Sequence, residues 1–182
     1  MLNDRPVIIQ ANGLAITVRR LTTSDSLDEL TELLHRGYQT LANKGFRYFA
    51  TYQTPEQTAE RVSKGTCLIG VCEGKIVATV CYYSPMQTGG CPWYDRSDVA
   101  SFGQFAVEPE LQRYGVGSRL VELIEQMAKD DGAAEMSLDT AEGAAHLIRF
   151  YEKRGYRFIE HAKWKVTNYR SVIMTKPLLP RL

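Results

Sequence analysis

The strongest structural signal in this chain is the segment Val107-Glu108-Pro109-Glu110-Leu111-Gln112-Arg113-Tyr114-Gly115-Val116-Gly117-Ser118. Ahead of it, residues 100–107 predict a strand, and Pro109 ends that strand because proline cannot continue a sheet ladder. Behind it, apolar residues at helical spacing predict a helix from Gly115 to about Lys129, which ends near Gly132. A strand, a tight loop and a helix opened by glycines therefore follow one another directly.

This loop has the properties of an anion site. The first backbone N–H groups of a helix have no intrahelical partner, and the positive end of the helix dipole lies behind them. Gly115 and Gly117 leave those amides open to phosphate oxygens, and Arg113 adds a positive charge at the rim. The loop is not a dinucleotide-binding Gly-x-Gly-x-x-Gly, because Leu120 occupies the third glycine position, and no Gly-Lys-Ser/Thr follows as in a Walker loop. An ordinary tight turn is the alternative.

The elements on either side predict one mixed α/β domain. Toward the N-terminus, the pattern predicts a strand at 15–21, a helix capped within 23–25 that runs through Tyr38, a second helix opened by Thr54-Pro55-Glu56, and strands at 67–72 and 76–83. A loop over 85–98 leads into the strand at 100–107. Toward the C-terminus, the pattern predicts a strand at 135–138, a helix capped by Asp139-Thr140 that stops at Gly155, and strands at 156–159 and 171–175.

Composition excludes several classes of protein. The 182 residues are 44% hydrophobic and 24% charged, which is typical of a soluble globular domain. The net charge is +1 with both signs interspersed, so we expect no nucleic-acid and no membrane partner. No apolar run approaches the ~20 residues of a membrane span. The first residues lack the order of a signal peptide, which makes the cytoplasm the expected compartment.

The four cysteines are predicted to be buried free thiols. Cys67, Cys72, Cys81 and Cys91 show no CxxC pairing, and the histidines lie elsewhere in the chain. A zinc site needs closer pairs with histidines nearby, so we expect no metal.

Two motifs together resemble a known family. Val107-x-Pro109 followed by Gln112-x-x-Gly115-x-Gly117 is similar to the (Arg/Gln)-x-x-Gly-x-(Gly/Ala) signature of the GNAT superfamily of acyl-CoA-dependent acyltransferases. Phe150-Tyr151-Glu152-Lys153-Arg154-Gly155-Tyr156 resembles its second hallmark, and the resemblance covers roughly residues 15–176. It implies a GNAT-like α/β (α+β) fold: a mixed, mostly antiparallel sheet of six to seven strands, flanked by about four helices. The acetyltransferase domain would span residues 15–182, after an N-terminal extension over residues 1–14.

The resemblance also implies the activity and its residues. It implies an N-acetyltransferase that uses acetyl-CoA as co-substrate. The pantetheine arm would bind the main chain of Phe105, Ala106 and Val107. The loop would bind the pyrophosphate through Gln112, Arg113, Tyr114, Gly115, Val116, Gly117 and Ser118.

Two further residues follow from the resemblance. Tyr151 stands where the superfamily usually places a tyrosine near the sulfur of the cofactor, as a general acid or hydrogen-bond donor to the departing thiolate. Many members have an asparagine where this chain has Ala144, and His146 is the candidate substitute for it. Core packing is the alternative for Tyr151, Phe105 and Val107.

The base and the acceptor are less defined. A lysine-like amine, with a pKa of ~10.4, must lose a proton before it attacks. No carboxylate occurs in residues 101–107, so Asp95, Asp98 and Asp139 are the candidates, each also readable as a turn or capping residue. The pocket is expected to draw on the aromatic residues of the variable parts: Phe46, Tyr48, Phe49, Tyr52, Tyr82, Tyr83, Trp93, Tyr94, Trp164 and Tyr169.

The acceptor class stays open at this point. The expected acceptor is a primary amine of a small molecule, an amino acid or a peptide. Such domains often pair through their last strands, so a homodimer is one expectation. A non-catalytic acyl-CoA-binding sensor of the same fold and an unrelated nucleotide-phosphate binder are the alternatives, and fold alone does not separate the first of these from an enzyme.

Overall fold

The computed structural model describes residues 6–178. Its strands are β1 Val7–Ala11, β2 Leu14–Arg20, β3 Thr66–Cys72, β4 Lys75–Tyr83, β5 Val99–Val107, β6 Glu135–Ala141, β7 Arg157–Ala162 and β8 Ser171–Pro177. Its α-helices are α1 Leu27–Asn43, α2 Pro55–Ser63, α3 Val116–Asp130 and α4 Ala145–Glu152. Within the described residues, no helix combines the length and the apolar character that a membrane span requires.

The strands form one sheet in the order β1-β2-β3-β4-β5-β6-β8-β7. Its neighbouring strands are antiparallel except for β5 and β6, which are parallel. β5 and β6 pair only from Val99 to Ser101, whereas β6 pairs with β8 along its whole length. Beyond Ser101 the two central strands separate, so the edge of β5 that faces β6 is open. The mixed, mostly antiparallel sheet and the four helices confirm the predicted fold, with eight strands instead of six to seven.

The additional strand is β1. Asn12 and Gly13 have positive φ angles of 50° and 76°, as a two-residue type I′ turn requires, and they join β1 to β2. Ile9 and Ala11 of β1 are buried in the main core. Residues 7–11, assigned above to an N-terminal extension, are thus part of the sheet, and residues 1–5 lie outside the described part.

The start of α1 differs from the prediction. The helix begins at Leu27, and its cap is Ser26, whose Oγ accepts a hydrogen bond from the Glu29 N–H at 3.1 Å. Asp25, one of the predicted caps, instead accepts two hydrogen bonds from the guanidinium of Arg19 at 2.6 and 2.7 Å. A charged partner on β2 therefore engages the carboxylate that could have capped the helix.

The start of α4 also differs. Asp139 and Thr140, predicted as caps, belong to β6, because the ladder with β8 continues past them to Ala141. The N-cap is Ala144, which has no side-chain hydrogen bond to offer. By contrast, α2 starts as predicted, with Thr54 in a capping box. This correction matters for the site. In a strand, the side chain of Asp139 projects from one face of the sheet, and it lines the cavity described below.

The core lies on both faces of the sheet. Leu120, Ile124 and other residues of α3 pack with β4 and β5 on one face, and Leu30, Leu33 and Leu34 of α1 pack with β3 and β4 on the other. All four cysteines are buried, as predicted.

Candidate active site

The N-terminus of α3 presents free amides. Gly115 is the N-cap, no side chain caps the helix, and its first turn contains no acidic residue. The first backbone bond within the helix runs from the Arg119 N–H to the Gly115 carbonyl at 3.0 Å. The amides of Val116, Gly117 and Ser118 are therefore without intrahelical partners, as an anion site requires.

The two glycines of this loop serve different purposes. Gly115 has a φ of 84°, a left-handed conformation that glycine adopts without strain, and no atom within 4 Å would meet a side chain there. Gly117 has an ordinary φ, but a Cβ on it would lie 3.0 Å from Cζ of Phe105 and 3.7 Å from Cγ2 of Val107. Gly117 therefore allows α3 to pack against β5. This packing role is additional to the predicted one of leaving the amides open to phosphate, which stays a prediction.

The open edge of β5 is shaped by a bulge. The register between β4 and β5 shifts opposite Thr79 and Cys81, and Gln104 has a φ of 47°. Further along, the Glu108 N–H donates to the Val77 carbonyl at 2.8 Å, toward β4. Because backbone groups of successive residues point to opposite edges, the N–H and C=O of Val107 point into the gap between β5 and β6.

Gln112 fixes the loop to this edge. Its Nε2 donates to the Val107 carbonyl at 3.2 Å, so the first residue of the glycine motif ties the loop to the end of β5. The motif residue predicted to contact the cofactor thus has a structural bond that positions the loop.

One cavity of about 870 Å³ extends along the gap between β5 and β6. Ten of the residues predicted as a cofactor or catalytic site line it: Phe105, Ala106, Val107, Gln112, Arg113, Gly115, Gly117, Ser118, His146 and Tyr151. The side chains of the other two do not, because Tyr114 is 49% exposed and Val116 is buried at 1% exposure. Residues that the sequence did not single out also line it, among them Tyr38, Lys44, Phe150 and Arg154.

Tyr151 belongs to both the core and the cavity. Its ring lies 5.1 Å from that of Phe150 and 5.8 Å from that of Tyr156, and the residue is only 6% exposed. Burial raises the pKa of Tyr151 well above its ordinary value, and the charges of neighbours such as Tyr38 and Asp139 raise it further. A phenol with a raised pKa is a poor proton donor to a thiolate, so this environment suits hydrogen bonding more than full proton transfer.

Positive groups surround the outer end of the cavity. Arg154 donates to Ser118 Oγ and stacks over the ring of Phe150 at 3.5 Å. Lys44 also lines the cavity. His146 lies at the same rim, and its pKa is lowered by burial first and then by the cations Lys44 and Arg149, which favours the neutral imidazole. Arg154 stands inside the second motif, so its place in the sequence was the signal that could have identified it.

The structure separates the three candidate bases. Asp95 is exposed, and its Oδ1 accepts the Gly90 N–H at 2.9 Å within the loop. Asp98 pairs with Arg96 at 2.7 Å, and this hydrogen bond lowers the pKa of Asp98. Of the three, only Asp139 lines the cavity.

Asp139 is firmly held at the inner end. Its Oδ2 accepts hydrogen bonds from Trp164 Nε1 at 2.8 Å and Ser171 Oγ at 2.9 Å. Its Oδ1 has no hydrogen-bond partner among residues 6–178. Burial raises the pKa of Asp139, while the bonds from Trp164 and Ser171 and the charge of Arg61 oppose the increase. The carboxylate is therefore fixed in orientation, with one oxygen available to a ligand.

Tyrosines form the inner wall. The Tyr48 hydroxyl lies 2.8 Å from Thr140 Oγ1 and accepts the Ala141 N–H at 2.9 Å, and its ring lies 4.7 Å from that of Tyr169. Of the aromatic residues predicted for the acceptor pocket, only Tyr48 lines this cavity. Tyr82 points elsewhere, since its hydroxyl donates to Asp131 at 2.8 Å.

These residues fit acetyl-CoA. Its phosphates suit the free amides of α3 and the positive rim, and the amide groups of its pantetheine arm suit the open backbone of β5. The volume lies within the range of about 300–1,000 Å³ that is usual for ligand pockets.

A sheet opened between two parallel strands, with the free amides of a helix N-terminus at the opening, is the arrangement expected of the acyl-CoA-dependent transferases that the two motifs resemble. Residues 27–156 match the sequence profile of the acetyltransferase (GNAT) family, and the chain belongs to that family. Family membership confirms the resemblance drawn from the two motifs, the class N-acetyltransferase and acetyl-CoA as the co-substrate. The roles of the individual site residues stay predictions.

Two curated relatives from Bacillus subtilis (strain 168) are similar to this chain. S-(2-succino)cysteine N-acetyltransferase is 27% identical over 139 residues, which cover 75% of this chain and 82% of the relative. S-alkylcysteine N-acetyltransferase is 25% identical over 165 residues, which cover 88% and 89%.

Solved structures agree on the fold. The GNAT domain of S. lividans PAT superposes with a TM-score of 0.70 at 19% identity, covering 94% of this chain and 96% of that one. A GNAT family acetyltransferase from Elizabethkingia anophelis with acetyl-CoA bound gives 0.62 at 15% identity, covering 89% and 97%.

Proposed function

We propose that the protein transfers the acetyl group of acetyl-CoA to a primary amine of a small molecule, an amino acid or a peptide. The observation that carries the proposal is the continuous cavity, which extends from the amides of α3 past Tyr151 to Asp139. A cofactor held at the outer end would direct its thioester inward, where a carboxylate and a phenol are available to the reacting groups.

The reaction needs two proton movements. Asp139 takes a proton from the bound ammonium, directly or through water, so that the amine nitrogen attacks the acetyl carbonyl carbon. The carbon–sulfur bond then breaks, and the electron pair leaves with the sulfur. Tyr151 donates a hydrogen bond to the developing thiolate, and the proton lost by the acetylated nitrogen finally neutralises it.

The position of Asp139 supports its role as base. Burial raises the pKa of Asp139, which brings it closer to that of an ammonium ion. The α-amino group of a peptide, with a pKa of about 7.7–8.0, needs about 3.5 kcal/mol less for deprotonation than a lysine side chain at about 10.4. A carboxylate base therefore favours an acceptor amine of low pKa.

The named relatives support a small acceptor. Both carry the names of enzymes that acetylate S-substituted cysteines. The inner end of the cavity, enclosed by Tyr38 and Tyr48, also suits a small molecule better than an extended polymer.

The test has two parts. Thermal unfolding is measured with acetyl-CoA, CoA, ATP and NAD, where a ligand at a hundred times its Kd stabilises by about 2.7 kcal/mol. Thiol release from acetyl-CoA is then followed with amino acids, S-substituted cysteines, dipeptides and polyamines. Stabilisation by the CoA compounds together with thiol release confirms the proposal. Stabilisation without release from any amine supports the non-catalytic sensor instead, and a response to ATP or NAD alone supports a nucleotide binder.

A further inference from the structure

Arg61, in the last turn of α2, is a partly buried cation without a carboxylate partner. Within residues 6–178, no carboxylate oxygen lies within 4.0 Å of its guanidinium. The other partly buried arginine without such a partner in that range is Arg154, at the phosphate end of the cavity. Arg61 is not itself one of the residues that line the cavity, and its guanidinium carbon lies 5.2 Å from the centroid of the Phe49 ring. Because removing a charge from water is unfavourable unless it is paired, this arginine suits an anionic ligand.

The guanidinium is held in a fixed position. Its Nη1 donates to Gln53 Oε1 at 2.5 Å. Gln53 is only 1% exposed, and its own Nε2 donates to Thr58 Oγ1 at 2.6 Å and to Gln104 Oε1 at 3.0 Å. The network fixes Arg61 against β5, while Nε and Nη2 have no hydrogen-bond partner among the described residues. A pair of donors with this orientation matches a carboxylate.

Arg61 and Asp139 lie beside neighbouring positions of β5 and β6. Ser101 and Ser137 are the last paired residues of these strands, so Gly103 and Asp139 each stand two residues further along, and a Cβ at Gly103 would lie 4.0 Å from Nη2 of Arg61. The charge of Arg61 lowers the pKa of Asp139, yet the two groups are more than 4.0 Å apart and form no ion pair. Tyr38, which lines the same cavity as Asp139, and Tyr169, whose ring lies 4.7 Å from that of Tyr48, complete the aromatic surroundings of Asp139. Two fixed and opposite charges with a gap between them are complementary to a zwitterion.

From this geometry we infer that the acceptor is a free α-amino acid, whose carboxylate binds Arg61 while its ammonium group binds Asp139. The inference rests on the proposed function and narrows its acceptor class. It assigns Arg61 as the residue that selects the substrate, and Gln53 as the residue that positions Arg61. A polyamine would bring a second positive charge close to Arg61, and an amino-acid amide would leave the guanidinium unpaired.

The test compares matched compounds on the intact protein. S-methylcysteine, S-benzylcysteine and phenylalanine are each assayed beside their carboxamide and their decarboxylated amine, and spermidine is included. We expect kcat/KM for each amino acid to exceed that for its amide and its amine by about 10- to 100-fold, which is the range of one charge-assisted pair. Amides or amines that react as fast as the amino acids would overturn the inference and leave the proposed function intact.

Variants of Arg61 provide the second comparison. Arg61→Gln should raise KM for the amino acid about 10- to 100-fold and change kcat little, because it removes binding made before the chemical step. The same variant should leave KM for the carboxamide unchanged. Arg61→Lys should restore only part of the loss, since lysine lacks the two parallel donors. Arg20→Gln, a change of an exposed arginine, is the control.

Binding measurements distinguish a failure of the inference from a failure of the proposed function. Calorimetric titration of S-benzylcysteine into the protein saturated with CoA should show binding that Arg61→Gln weakens by the same factor, with CoA affinity unchanged. Equal amino-acid binding by both proteins contradicts the inference, whatever the turnover. Absence of acetyl transfer to every amine overturns the proposed function and the inference together, while intact CoA binding in that case still supports the phosphate site.

Discussion

Replacing Asp139 with asparagine removes a charge from the inner end of the cavity and keeps almost the same shape. In Asp139→Asn, the new amide oxygen can still accept the hydrogen bonds that Trp164 and Ser171 make to Oδ2 at 2.8 and 2.9 Å. The side chain therefore stays in place, and the variant loses the capacity to accept a proton. If Asp139 is the base, turnover falls by about 10²- to 10⁴-fold, the usual contribution of general-base catalysis.

Stability should change in the opposite direction to activity. The folded pKa of Asp139 is raised, so its contribution to stability is full below the unfolded pKa of about 3.9 and decreases as the pH rises through the folded value. At pH 7 the folded wild type therefore holds a buried carboxylate that is ionised at a free-energy cost of about 1.4 kcal/mol for each pKa unit. Asp139→Asn avoids this cost, so we expect it to unfold at an equal or higher temperature than wild type at pH 7, with the difference shrinking toward pH 4.

The assay combines thiol-release kinetics with thermal unfolding at pH 4.5, 6 and 7.5. In wild type, kcat/KM should fall as acid protonates Asp139. The groups that interact electrostatically with this carboxylate are the cation Arg61 and the neutral phenols of Tyr38, Tyr94 and Tyr169. Asp98→Asn is the control, because that exposed pair with Arg96 should contribute no more than ~1 kcal/mol and no catalysis. Wild-type turnover in Asp139→Asn refutes the assignment as base, and a loss of activity with a marked fall in unfolding temperature shows a structural role instead.

Three further predictions concern the cofactor half of the cavity. Tyr151→Phe should lower kcat by roughly 10- to 1000-fold and leave the fold intact. The control Tyr156→Phe removes a buried hydroxyl outside the cavity and should keep wild-type kcat. Kinetics measure the loss of activity, and circular dichroism checks that both variants are folded. Gly115→Ala places a side chain in a left-handed conformation at a cost of about 1–2 kcal/mol, so the free loop should relax and calorimetry should show weaker CoA binding. Gly117→Ala should weaken binding less, because the ring edge of Phe105 can shift slightly. Arg154→Gln should raise the Kd of CoA about tenfold at low salt and by a smaller factor at high salt; an unchanged Kd at low salt would remove Arg154 from the phosphate site.

The parts of the site that the sequence predicted are local in the chain. The strand that ends at Val107, the loop and the start of α3 follow one another, so spacing and glycine content were sufficient to locate them. The hairpin of β1 and β2 was also within reach, because Asn12-Gly13 between apolar residues is a strong turn signal, yet the strand before it was missed.

The parts that the sequence did not predict depend on pairing between distant segments. Asp139 and Thr140 have the residue types of a helix cap, and only the ladder between β6 and β8, which pairs Asp139 with Ile173, keeps them in a strand. The early separation of β5 from β6 after Ser101 has no local signature either. A single sequence shows which residues are polar, but it does not show which of two compatible roles the register selects.

The bulge in β5 links the two halves of the site. The left-handed backbone of Gln104 is unfavourable for a residue with a side chain, and it persists where the surroundings hold it. Here the holding contacts come from the side chain, which accepts from Gln53 at 3.0 Å and donates to Cys81 Sγ at 3.4 Å. Gln53 in turn holds Arg61, the proposed carboxylate anchor. In the proposed complex, the same strained residue lies between the edge of β5 assigned to the cofactor and the Arg61 side chain assigned to the acceptor carboxylate.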